Sequence, residues 1–217
     1  MKSPARWKLP ILLFALALIA IEPALAYNNS LSSEAIREAY FLGKRNDEQT
    51  AAFFRKYVHA LPAPGSGPYV SSIGIETPYL AIVRRVQRAP IGYHAEEAEQ
   101  EFLGKAGIFT VFVEIDFTPS YPDPARFSTY VNGAVLVPDF WKDFKVQLTQ
   151  DRKIEAQSVE GGPIYSDYAI DEYGLAGAEV ELEYDPAKMD SATPATVDVL
   201  TPDGQDVQTT FDLAQLR

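Results

Sequence analysis

Residues able to do chemistry are few in this chain, and where they concentrate they resemble a binding surface more than a catalytic centre. The segment Tyr165-Ser166-Asp167-Tyr168-Ala169-Ile170-Asp171-Glu172-Tyr173-Gly174 sets Asp167, Asp171 and Glu172 among Tyr165, Tyr168 and Tyr173. Carboxylate oxygens on one loop are the hard donors that Ca²⁺ takes, and phenol rings stack on sugars or on a protein partner. The spacing departs from the alternating acids and closing glutamate of the common calcium loop, and tyrosines at a loop edge more often serve as amphipathic cover. A second concentration is Phe140, Trp141 and Phe144, with Asp139, Lys142 and Asp143 among them. Phe144 is expected in the core and Trp141 as an exposed platform. Trp141, Tyr165, Asp167, Tyr168, Asp171, Glu172 and Tyr173 are thus the expected ligand or partner surface.

Catalytic constellations are missing from the pattern. The chain has no cysteine and only His59 and His94, so a zinc site would have to be built largely from carboxylates. His94 and Glu97 stand three apart at a helix start, where a capping role is the ordinary one. His59 falls at the expected end of a helix, where a cation meets the negative end of the dipole. Ser66 sits in Gly65-Ser66-Gly67 between prolines and not in a nucleophile elbow, and Gly161-Gly162-Pro163 lacks the spacing and lysine of a phosphate loop. No catalytic, cofactor-binding or metal-ligating residue is assigned, and no cofactor is expected. Glycan hydrolysis is the enzymatic alternative, because it needs only two carboxylates flanking a sugar bond.

Lys2, Arg6 and Lys8, the apolar run Ile11 to Ile21 and Ala24-Leu25-Ala26 form the three parts of a secretory signal over residues 1–26. Eleven apolar residues fall short of the about 20 that span a bilayer. The expectation is cleavage, export to the periplasm or beyond, and no membrane insertion afterwards. The whole chain carries a net charge of −11; removing Lys2, Arg6, Lys8 and Glu22 with the signal makes it −13. That balance argues against nucleic acid and anionic membrane surfaces as partners, and leaves protein, a cell-envelope component or carbohydrate.

These residues must be positioned by two kinds of element. Ala35, Ile36, Ala39, Tyr40 and Leu42 recur at helical spacing behind Ser32 or Ser33 and end at Gly43. Asn46 offers a cap for a second helix running to Leu61, which makes an αα-hairpin whose Phe41, Phe53, Phe54 and Tyr57 need a surface to pack on. The proline-rich Pro62 to Pro68 is the best internal boundary. Tyr69 to Glu76 reads as a strand. Thr77-Pro78 reads as the start of a helix through Val86, with a continued strand over 79–88 as the alternative. Arg84, Arg85 and Arg88 fall on that helix's polar side and are expected to dock on the chain's own acids. Ala95 to Leu103 is a short acidic helix closed by Gly104.

From residue 107 the pattern changes to period two. Strands are expected at 109–117, Tyr130 to Val137, Phe144 to Thr149, Ile154 to Val159, Ala178 to Tyr184, Ala195 to Thr201 and Val207 to Phe211. Gln150 to Lys153 and Pro202 to Gln205 are hairpin turns. Glu179, Glu181 and Glu183 alternate with apolar residues and should form a solvated face. The fold class is therefore α+β: a helical region with one strand over 27–104 beside an antiparallel β-sandwich of immunoglobulin-like architecture over 105–217. The closing run Val197 to Gln205 resembles the terminal hairpin of exported bacterial sandwich modules, which implies a fold and no activity. The expectation is an exported, non-enzymatic bacterial module that acts through protein or envelope contacts. Carbohydrate- or calcium-dependent binding is the alternative within the same class.

Overall fold

The computed structural model describes residues 31–118, 120, 129–131, 134–136, 139–169 and 172–217, with 129–131, 134–136, 166–169 and 172–174 described by backbone alone. Four α-helices appear among the described residues: α1 (Ser33–Gly43), α2 (Glu48–Phe54), α3 (Pro78–Gln87) and α4 (Ala95–Phe102). Each begins where a side chain or carboxylate can satisfy a free backbone N–H. Ser32 accepts from the Ala35 N–H at 3.2 Å, Thr77 from Leu80 at 3.2 Å, and the Glu97 carboxylate from the His94 N–H at 2.9 Å. The cap of α2 is Asp47, which accepts from the Thr50 N–H at 2.9 Å, and not the expected Asn46. Region 79–87 is helical with Arg88 as its C-cap, because Pro78 at the first turn and the Thr77 cap favour that start.

The second helix is shorter than its sequence pattern. It stops at Phe54, and Val58–Ala60 is a strand, β1, antiparallel to β2 (Pro68–Glu76). Ladder bonds to a neighbouring strand outweigh the weak preference of three residues for a helix, so tertiary pairing overrides local propensity. His59 accordingly lies on β1, its ring 4.8 Å from that of Phe211, and is no helix-end partner. Two consecutive helices stand where the hairpin was expected, the second cut short, and α1 packs on α3 and α4.

The remaining strands are β3 (Phe109–Phe117), β4 (Thr129–Val131), β5 (Ala134–Leu136), β6 (Lys145–Thr149), β7 (Lys153–Ile154), β8 (Ser158–Ala169), β9 (Glu172–Tyr184), β10 (Ala195–Leu200) and β11 (Asp206–Phe211). They build an antiparallel five-stranded sheet in the order β1-β2-β3-β9-β8, a four-stranded sheet β11-β10-β6-β7, and the pair β4-β5. The Pro62 to Pro68 segment joins two neighbouring strands of one sheet. Because β2 also pairs with β3, the five-stranded sheet runs across residues 104 and 105.

Three expected strands differ in extent. Tyr130 to Val137 is the pair β4 and β5, and β9 begins well before Ala178. Ile154 to Val159 is divided, since Ile154 closes the four-stranded sheet while Ser158 opens β8 in the other. The alternation itself holds. Val111, Val113 and Ile115 are buried opposite Leu182, Val180 and Ala178, and Ala195, Val197 and Val199 are buried on β10. Buried residues from both large sheets and from α1, α3 and α4 belong to one hydrophobic core. Gly204 closes the β10–β11 hairpin at φ +85°, a conformation that favours glycine.

Candidate functional site

The faces of β2, β3, β9 and β8 opposite the core carry the main polar feature of the molecule. Register aligns three rows: Ser72, Glu114, Glu179 and Gly162; Gly74, Phe112, Glu181 and Glu160; Glu76, Thr110, Glu183 and Ser158. Glu114 and Glu179 are therefore directly opposite each other, as are Glu181 and Glu160. Directly opposed like charges destabilise a sheet. A hydroxyl relieves part of this, since Ser72 donates to Glu114 at 3.0 Å; in the third row Ser158 donates to Glu183 at 2.8 Å.

The part of this face on β2, β3 and β9 is the floor of a groove of about 780 Å³ walled by α3 and by the end of α4 and the segment after it. From α3, Arg84 pairs with Glu76 at 2.9 Å and lies over the Phe112 ring at 4.9 Å, and Arg88 lines the groove one turn further on. Glu101, Phe102, Lys105 and Ile108 line the other wall. Burial pushes the Glu76 carboxyl above its ordinary value, against the pull of Arg84 beside it. Burial also raises Glu179, and the carboxylates of Glu181 and Glu114 add to the shift. The lining holds the carboxylates of Glu76, Glu101, Glu114, Glu179, Glu181 and Glu183 against the cations Arg84, Arg88 and Lys105, so the groove is acidic on balance.

The seven residues expected from sequence lie elsewhere or fall outside the described side chains. Trp141 is a correction: it is 7% exposed, and it packs so closely on the backbone of β8 that a Cβ on Gly161 would come within 2.5 Å of its ring. An indole buries a large apolar area, and here the bare glycine strand gives it a flat seat. Phe144 is in the core, as its spacing suggests. Both Trp141 and Phe144 line a second groove of about 660 Å³ with Val159, Val180 and Leu182. Tyr165 is on β8 and 49% exposed.

The expected loop is largely strand: Tyr165 pairs with Leu175, Asp167 with Tyr173, and Ala169 with Glu172. Side chains of Asp167, Tyr168, Glu172 and Tyr173 lie outside the described residues, as does Asp171 entirely. Neither Trp141 nor Tyr165 lines the acidic groove. Among the described residues no three His, Asp or Glu side chains are grouped to hold a metal ion, and no helix is long and apolar enough to cross a membrane. Arg84 and Arg85 dock on the chain's own acids, Arg85 on Glu101 at 3.1 Å.

Sequence reasoning identified Glu179, Glu181 and Glu183 as a solvated face and missed the groove. Their neighbours Glu114 and Glu160 become visible only through strand register, and the wall only through the placement of α3. In comparison with known proteins, no family model matches the chain and no curated protein matches it.

Proposed function

We propose that the chain is an exported, non-enzymatic binding module acting through a protein or another cell-envelope component, with the acidic groove as its contact surface. The observation that carries this reading is the directly opposed carboxylates of Glu114 and Glu179, both of which line the groove beside Glu181. A sheet face shaped for stability alone would not hold them, whereas a surface awaiting a cationic group gains from them. Export is supported by the basic, apolar and small-residue sequence of 1–26. The two large sheets are read as an immunoglobulin-like sandwich, supported by the shared core to which both contribute.

The test has two arms. In a bacterial host the recovered extracytoplasmic form should begin at Tyr27 by mass; intact Met1 in the membrane fraction would overturn export. Pull-down from envelope extract should retain a partner with the parent protein and lose it with the Glu179→Lys, Glu181→Lys double variant. Equal recovery by both would remove the groove from the reading.

One observation favours a second reading, glycan hydrolysis. Glu114 and Glu179 are directly opposed on adjacent strands, and hydrolysis of a glycosidic bond needs two neighbouring carboxyl groups. Burial with the carboxylates of Glu181 and Glu114 raises Glu179 above its ordinary value, the direction a general acid requires. Release of reducing ends from an envelope glycan, abolished in Glu179→Gln, would establish it. A blank glycan panel would end it.

A further inference from the structure

We infer that the free edge of β8 takes up an extended segment of another protein, added as a strand, in which basic and apolar residues alternate. This is a second surface, beyond the acidic groove. β8 is the outermost strand of the five-stranded sheet, and among the described residues no strand or backbone hydrogen bond occupies its outer side. At twelve residues it is longer than the other edge strands, β1 with three, β7 with two and β11 with six. A long row of unpaired N–H and C=O groups is a template for another strand. Pro163 has no N–H to offer, which confines the added strand to residues 158–162.

The two faces beside this edge differ, and the side chains of a strand alternate between them. On the core side Val159 shares a row with Leu182 and Val111, which are 4% and 0% exposed, yet Val159 is 64% exposed. It lines the groove of about 660 Å³ with Trp141, Phe144, Val146 and Leu200, so an apolar side chain set beside Val159 has a cleft to fill. On the other side Glu160 stands opposite Glu181, and Gly162 opposite Glu179. A Cβ on Gly162 would meet nothing within 4 Å, so a long cationic side chain can cross the bare glycine towards the Glu179 carboxylate. Glu160, Gly162, Glu179 and Glu181 line a hollow of about 260 Å³ there. A second copy of this chain is the wrong occupant. Pairing 158–162 antiparallel with the same residues of another copy sets Glu160 opposite Glu160, and like charges directly opposite destabilise a sheet.

The probe is the capped peptide acetyl-KVKVKVKV-amide, titrated into the protein by calorimetry at low ionic strength beside its block isomer acetyl-VVVVKKKK-amide and the acidic acetyl-EVEVEVEV-amide. The alternating basic peptide is expected to bind about tenfold or more tightly than either control, the scale of one charged hydrogen bond. Amide hydrogen exchange over 158–162 should slow about tenfold in the complex, as a newly paired strand requires. Val159→Asn should weaken binding about tenfold by removing the apolar neighbour. Gly162→Val, which fills the space over the glycine, should weaken it as well. Neither residue lines the acidic groove, so these losses speak for the β8 edge alone. Absence of heat with the folded protein overturns the inference. So does equal binding of the block isomer, which is attraction by charge only, or binding that leaves exchange over 158–162 unchanged. Self-association that Val159→Asn abolishes would give the edge to a second copy and overturn it too. If the peptide fails while the envelope pull-down still depends on Glu179 and Glu181, the acidic groove keeps its role and the edge loses its own.

Discussion

Glu114 on β3 and Glu179 on β9 occupy one register position on adjacent strands, so two carboxylates face each other on the polar side of the five-stranded sheet. Their repulsion is a cost that folding alone does not require. Glu179→Gln should therefore stabilise the protein by about 0.2–1 kcal/mol, or up to about 4 °C in Tm for a domain of this size. Thermal unfolding near pH 7 checks this, and a lowered Tm would show that Glu179 is held by favourable contacts instead.

Acid should act in two opposed stages. Burial raises Glu76 and Glu179 above the ordinary 4.5, so between that value and their folded pKa the native state holds protons that the unfolded chain has lost. Stability then rises as pH falls through this window. Asp47 is held low by the Thr50 N–H and by Arg45, and Glu101 by the Tyr93 hydroxyl and by Arg85. Their contribution is present above the unfolded values of 3.8 and 4.5, and is lost as pH falls through their lower folded values. Tm measured from pH 8 to 3 should pass through a weakly acidic maximum, with a flatter rise in Glu179→Gln. A steady fall from neutrality would contradict the raised pair.

The seat of Trp141 on Gly161 can be probed optically in a variant that begins at Tyr27, which lacks Trp7 and keeps Trp141 as its sole tryptophan. Its emission should be blue-shifted and resist acrylamide. Gly161→Ala would set a Cβ 2.5 Å from the indole and 3.2 Å from the Glu179 carbonyl oxygen. Overpacking of that kind should cost about 1–3 kcal/mol in denaturant unfolding and shift the emission to the red. Unchanged emission and stability would refute the contact.

Thr77 joins the start of α3 to the far end of the chain. Its hydroxyl accepts from the Leu80 N–H at 3.2 Å and donates to the Arg217 carbonyl, which also accepts from Tyr57 at 3.2 Å. Thr77→Ala should cost about 1–2 kcal/mol by urea unfolding, through a lost cap and a lost buried donor. Thr77→Ser should recover most of it. Equal loss in both variants would assign the effect to packing of the methyl group.

The elements legible in the sequence share one property, that their cause lies within a few residues. The Ser32 cap, the Thr77-Pro78 helix start, the alternation of Val111, Val113 and Ile115, and the Pro202 to Gln205 turn are each decided by neighbours along the chain. The errors fall where a distant segment intervenes. Val58 to Ala60 carries a helical stripe but finds an open strand edge at β2, and Trp141 carries polar neighbours but finds the bare backbone of Gly161.

By itself, then, the sequence determined an acidic, cysteine-free α+β chain, the starts of α1, α3 and α4, most of its strands and which residues of β3 and β10 point inward. Only the tertiary structure decided that Glu114, Glu160, Glu179 and Glu181 share one face, that Arg84 and Arg88 overlook it, and that Trp141 is enclosed. Periodicity reports what each strand offers to its two sides. Register and helix placement, which are set by contacts between remote segments, determine which charges meet and which face remains open.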